Sequence, residues 1–152
     1  MIFVGIRVFY QENIVIDDLR IAIIVNPSLP LGLLANTVAA IGIGLAAKLP
    51  ELANQQLSDG QGITIDVSSR LPVPILQADE SAIRLLMLKA ADDSRTQATV
   101  PFPAFARNLH QYQDYQREFP LRTLASETID GVGLAGPAKW ITSLTGSLKL
   151  LR

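Results

Sequence analysis

The chain contains no cysteine, so neither disulfides nor thiolate metal sites are open to it, and nothing marks its redox compartment. It has one histidine, His110, which excludes histidine-cluster metal sites and leaves a lone candidate for general-base work. His110 follows Leu109 in a stretch rich in Gln and Tyr, where a surface or half-buried histidine without chemistry is the favoured reading. No basic block occurs. Lys, Arg, Asp and Glu are scattered in ones and twos and the formal net charge is -1, so the cationic footprint of a nucleic-acid binder is missing and no such partner is expected. Serine hydrolysis would need a nucleophile elbow or a Ser/Lys pairing, and neither is present. The carboxylates of Asp17-Asp18 and Asp92-Asp93 are sequence neighbours and read as solvated turns, not as an acid/base pair.

The largest absence is local: from Ile21 to Ala47 there is no charge at all. Arg20 to Asn26 is a continuous β-branched run, the pattern of a strand covered on both faces. Pro27 and Pro30 end it. Leu31 to Leu49 then reads as a helix with large apolar residues on more than one face and small residues (Gly32, Ala35, Ala39, Gly42, Ala46) between them. A helix apolar all round is expected to be buried all round. In a domain this size a second subunit is one way to cover the other face, so a homo-oligomer, a dimer, is expected. The segment is long enough for a membrane span, which needs roughly 20 apolar residues. Pro27 and Pro30 break it near the start, however, and Asn36 and Thr37 lie inside. No aromatic falls within it and no Lys/Arg cluster flanks it, so a soluble, cytoplasmic domain with no membrane contact is expected.

With 152 residues and 49% hydrophobic content, the chain can bury one core with neither cofactor nor metal. Residues 1–19 read as an N-terminal extension, an added strand, and 20–152 as one α/β domain. The first eighteen residues of the chain are apolar but are cut by Arg7, Gln11 and Glu12 and lack a small-residue cleavage site, so a signal peptide is not expected. Gly62 to Val67 alternates as a strand. Leu71 to Leu76 is extended, and its two prolines place it at a sheet edge. Asp79 is the expected N-cap of a helix ending near Ala91. Asp92 to Thr96 is a polar turn and Ala98 to Phe102 a short strand. Ala104 to Phe119 reads as one amphipathic helix, Thr128 to Ala135 as a Gly-rich strand, and Pro137 to Leu144 as a short helix with Gly146 just past its end. Ser147 to Arg152 is an apolar tail, with a strand as its alternative reading. Alternation of this kind predicts an α/β sheet with helices on both faces.

Gly131-Val-Gly133-Leu-Ala-Gly136 matches the dinucleotide pattern G-x-G-x-x-G after a strand and before a helix. Only sixteen residues follow it, too few for the second strand and the ribose-binding acid that the fingerprint needs. The favoured reading is a strand stripped of side chains so that a helix can press against it. A second near-match, Gly42 to Ala47, lies inside a helix. More informative are Asn26, Ser28, Asn36 and Thr37, around the end of the first strand and the start of the following helix. Free amides and a positive dipole end collect there, so these four are the candidate ligand-binding residues for an anion or small polar molecule. The competing reading, favoured by the residue types, is that they cap the helix and satisfy the turn.

Two segments carry a resemblance. They are V-N-P-S-L-P-L-G-L-L-A-N-T-V-A-A (Val25 to Ala40) and G-P-A-K-W-I-T-S-L-T-G-S-L-K-L-L (Gly136 to Leu151), with P-V-P-I-L between them. Together they resemble the DUF two-thousand family, a domain of unknown function, from about Arg20 onward. More distantly both are similar to type II peptidyl-tRNA hydrolases, whose closing motif is nearly intact at Ile141, Leu144, Thr145, Gly146, Leu148, Lys149 and Leu150. That resemblance implies a three-layer α/β/α fold with a small mixed sheet. It does not carry the activity. Leu33 and Ala35 stand where the hydrolase has its essential lysines, Asn26 replaces its arginine, and the D-A-G-x-T-Q segment is absent; Arg95-Thr96-Gln97 echoes it but precedes the strand it should follow. Two readings of function remain: a non-catalytic, self-pairing module that binds a small polar or anionic ligand, and a hydrolase of ester-linked substrates. The first is preferred, because cations for an anionic transition state are missing.

Overall fold

Leu19 to Val25 form β1, and every residue but Arg20 is buried. β-branched side chains suit a strand with a layer on each face. The computed structural model describes Ile16 and residues 18–152, so the added strand expected in the N-terminal extension lies outside the described residues. Among those residues the chain is an α/β fold, with a mixed five-stranded sheet, a separate two-stranded ribbon and four α-helices.

β1 lies at the centre of the sheet. Helix α1 (Leu31–Lys48) follows it, then ribbon strands β2 (Gln56–Ser58) and β3 (Thr64–Asp66), then β4 (Ile75–Gln77). Helix α2 (Glu80–Ala91), β5 (Ala98–Pro103), helix α3 (Tyr112–Glu118), β6 (Ile129–Pro137), helix α4 (Ala138–Thr145) and β7 (Lys149–Leu150) complete the order. The sheet runs β5-β6-β1-β4-β7. β6 is antiparallel to β1, from Leu19 opposite Pro137 to Val25 opposite Gly131. β4 is parallel to β1, a pairing that needs a crossover, and α1 supplies it.

Alternation along β1 divides the core. Ala22 and Ile24 join Val132, Leu134, Ile83 and Met87 of α2, and Trp140, Ile141 and Leu144 of α4. Ile21, Ile23 and Val25 join Ala135, Leu52, and Ile41 and Leu45 of α1. Helices therefore cover both faces. Asp79 caps α2 as expected, accepting from the Ala82 amide at 2.8 Å. Asp79→Ala is expected to cost about 1 kcal/mol, read as a lower urea midpoint at unchanged slope.

Three expectations need correction. α1 is not buried all round: only Thr37, Ile41 and Leu45 are, because the sheet covers one side of the helix. β4 is not an edge strand but lies between β1 and β7. Its prolines, Pro72 and Pro74, precede the paired residues, and the Pro74 carbonyl accepts from the Ile23 amide at 3.0 Å. The strand expected over Gly62 to Val67 is present as Thr64–Asp66, paired with β2 in the ribbon. The single helix expected over Ala104 to Phe119 is instead a 3-10 turn (Ala104–Asn108), then α3, then a second 3-10 turn (Phe119–Leu121). Leu109 and Gln111 are extended between them. One continuous helix would set Phe105 and Tyr115 about 15 Å apart along its axis. The break lets their rings stack at 5.8 Å, with Phe119 5.5 Å from Tyr115.

Candidate functional site

The β1–α1 turn is built by its own polar groups. The Asn26 amide donates to the Asp130 carbonyl at 3.1 Å, carrying the β1–β6 ladder one step past Val25. Asn26 Oδ1 accepts from the Ser28 amide at 2.9 Å, and the Asn26 carbonyl accepts from the Leu29 amide at 3.2 Å. This is an Asx turn, the local geometry that Asn favours. α1 then begins at Pro30 with no side-chain cap and no acidic residue in its first turn. Its first amides and positive dipole end therefore face outward without a carboxylate.

The four expected residues divide. Asn26 and Ser28 share the turn, and Asn36 is exposed one helical turn further on. Thr37 faces inward: it is fully buried, its hydroxyl donates to the Leu33 carbonyl at 2.8 Å, and its methyl packs where Gly131 leaves room. A ligand seated on the turn would not touch it. The capping reading holds for the turn, through Asn26, but not for the helix.

Two groups beside this turn escaped the reading of the sequence. Asp130 is 1% exposed, and Arg107 from the 3-10 turn after β5 clamps it with Nε on Oδ2 at 2.6 Å and a second nitrogen on Oδ1. Asp130 sits at a bulge: Phe102 faces Gly131 and Pro103 faces Ile129, so Asp130 has no partner residue on β5. Bulges re-aim a side chain, and here the side chain is a carboxylate that needs a cation. Hydrogen bonding to Asp130 holds the Arg107 guanidinium above its ordinary range. A lone charge in the apolar strand Ile129–Pro137 was the available signal.

The G-x-G-x-x-G run from Gly131 to Gly136 serves packing. A Cβ on Gly133 would come within 2.4 Å of Ile41, one on Gly131 within 3.0 Å of the Ile24 carbonyl, and one on Gly136 within 2.9 Å of the Arg95 carbonyl. His110 is exposed. Asp93 holds Arg95 through two nitrogens, and this lowers its carboxyl to about 2; Arg95 in turn lies 3.7 Å over the Trp140 ring. Trp140 Nε1 donates to Thr96 Oγ1 at 2.9 Å, so the polar turn and α4 are fastened together. Among the described residues no group of three metal-ligating side chains could hold an ion.

A groove of about 670 Å³ lies at the opposite end of β1, lined by Leu19, Arg20, Pro72, Val73, Thr142 and Leu148 among others. Its walls are mostly apolar, and Arg20 donates to Thr142 Oγ1 at its rim.

The fold has a solved counterpart. A protein of unknown function from Agrobacterium tumefaciens superposes with a TM-score of 0.79 at 20% identity, over 88% of this chain and 97% of that one. At that identity the likeness shows the shared fold alone. None of the curated proteins matches the chain. Over residues 19–152, which take in the sheet, its covering helices and the β1–α1 turn, the chain matches the family described as "Protein of unknown function (DUF2000)", and it belongs to that family.

Proposed function

We propose that this chain is a non-catalytic module that pairs with itself through the outer face of α1 and takes a small polar or anionic ligand at the β1–α1 turn. The scaffold we assign to it is of the type II peptidyl-tRNA hydrolase kind, without that enzyme's chemistry. One observation carries the reading. Leu31 and Ile43 on α1 are 82% and 73% exposed, Ala35, Ala39 and Ala47 between and beyond them are exposed, and no charge interrupts the helix before Lys48. Alanines at four-residue spacing form a smooth row along which a second copy of the chain can approach closely. Burying the two large side chains alone is worth a few kcal/mol at about 25 cal/mol per Å².

For the ligand, Asn26 and Ser28 form the turn before the uncapped start of α1, where a helix dipole favours an anion, and Asn36 is exposed one helical turn on. The hydrolase reading is weaker: Leu33 and Ala35 supply no cation, and the guanidinium beside the turn, that of Arg107, is already engaged by Asp130.

Sedimentation equilibrium across the micromolar range should show dimers, and Ile43→Glu should give a monomer with an unchanged circular dichroism spectrum. A wild-type chain that stays monomeric throughout would refute the pairing. So would a chain that floats with lipid vesicles, because α1 is long and apolar enough by length and composition to enter a membrane.

A further inference from the structure

The chain between α1 and β4 carries a second open apolar surface. β2 and β3 pair with Gln56 opposite Asp66, Leu57 opposite Ile65 and Ser58 opposite Thr64. One side of this ribbon is polar and bonds to itself: Gln56 Nε2 donates to Asp66 Oδ1 at 3.1 Å, and the Ser58 and Thr64 hydroxyls meet at 2.7 Å. Strand alternation puts Leu57, Ile65 and Ile63 together on the other side. Every residue of both strands is exposed. A ribbon of two strands is marginal in water by itself, and this one shows its aliphatic side to solvent. Asp59 closes the turn, its carboxylate accepting from the amides of Gln61 at 2.9 Å and Ile63 at 2.8 Å, so the arm is shaped without help from the body. Its root lies beside α1: Ala53, Ser68 and Ser69 line one crevice with Gly42 and Ala46.

We infer that this ribbon is a dimerisation arm, whose Leu57, Ile63 and Ile65 side lies on the outer face of α1 in a second copy of the chain while that copy's arm does the same in return. The inference rests on the self-pairing proposed above and names the element that completes it. The two surfaces match in chemistry, since both are aliphatic and neither presents an unpaired charge at its centre. They also match in extent. Leu31, Ile43 and the three arm residues are 53–82% exposed. Together they offer roughly 600 Å² of side-chain surface, close to the roughly 800 Å² per partner of a standard interface. The two large side chains of α1 supply a little under half of those roughly 600 Å², so the helix alone falls well short of a standard interface. An extended arm from Gln55 to Asp59 reaches roughly 15 Å, and α1 is about 27 Å long, so the arm spans half of a partner's helix. In a two-fold dimer each such contact is made twice.

The test uses the full chain. Leu57→Lys combined with Ile65→Lys changes only exposed side chains, so the protomer should keep its circular dichroism spectrum. Its dimer dissociation constant by sedimentation equilibrium should rise at least about a hundredfold. A cysteine-free chain permits a second reading of the same contact. Leu57→Cys is mixed with Ala35→Cys, Ala39→Cys or Ile43→Cys, and oxidation should give a chain-to-chain disulfide in at least one mixture. If Ile43→Glu dissociates the dimer while the arm variant keeps the native constant and no mixture cross-links, the arm is refuted and the pairing through α1 stands. If the wild type is a monomer at every concentration, both fall. Should the lysine variant fail to fold, the cross-link decides alone.

Discussion

Arg107→Ala is expected to lower the free energy of unfolding by about 3 kcal/mol. The reason is an asymmetry across the pair. Asp130 is 1% exposed and Arg107 is 37% exposed. Removing the arginine strands a carboxylate away from water, whereas removing the carboxylate leaves a guanidinium that can turn outward. Asp130→Asn should therefore cost less, about 1–2 kcal/mol, because a neutral amide keeps part of the hydrogen bonding. Urea titrations of the two variants would show the difference. Equal losses would mean that water reaches Asp130 freely.

This pair also marks where reading the sequence stopped. β1, the turn at Asn26, α1, the Asp79 cap and α4 were legible because each is written locally: a β-branched run, prolines, a chargeless helix, a cap three residues ahead of its amide. The pairing of Asp130 with Arg107 joins two elements twenty-three positions apart, across a bulge that no local pattern announces. A lone acid in an apolar strand says that a cation must exist, but not which of thirteen it is. The break at Leu109 has the same origin. Residues from Ala104 onward carry an apolar stripe (Phe105, Leu109, Tyr112, Phe119) that reads as a helix, but the ring stack of Phe105 on Tyr115 and the clamp on Asp130 reward a bent path. Likewise Thr64 to Asp66 reads as a strand either way, and only the partner, β2 instead of the sheet, separates a core element from an arm. The candidate site was half legible. Asn26 and Ser28 form the turn as written, while Thr37 lies on the inward side of a helix whose apolar pattern gave no clue to which face would be covered.

Gly133→Ala is expected to cost roughly 2–3 kcal/mol, and Gly133→Val more, because α1 rests directly on the backbone of β6 at this point. An added Cβ would sit 2.4 Å from Ile41 Cγ2 and 2.9 Å from Leu45 Cδ1. The first contact is with a methyl branched at Cβ, which cannot swing aside without changing rotamer, and both residues are buried. The helix must lift or Ile41 must leave its well. For a domain of this size the melting temperature should fall by about 5–10 °C. The contact also identifies its own remedy. Ile41→Leu moves the branch one carbon outward and removes the offending methyl, so the double variant Gly133→Ala, Ile41→Leu should recover about half of the loss, a coupling read from a double-mutant cycle. Gly42, by contrast, has nothing within 4 Å of where its Cβ would be, and Gly42→Ala should be neutral or slightly stabilising through helix propensity. The two glycines share one motif type in the sequence, and the opposite signs expected for them follow from which one the sheet and helix trap between them. If Gly133→Ala left the stability unchanged, α1 would not lie as close to β6 as described, and the exposed outer face proposed for pairing would lose its fixed position as well.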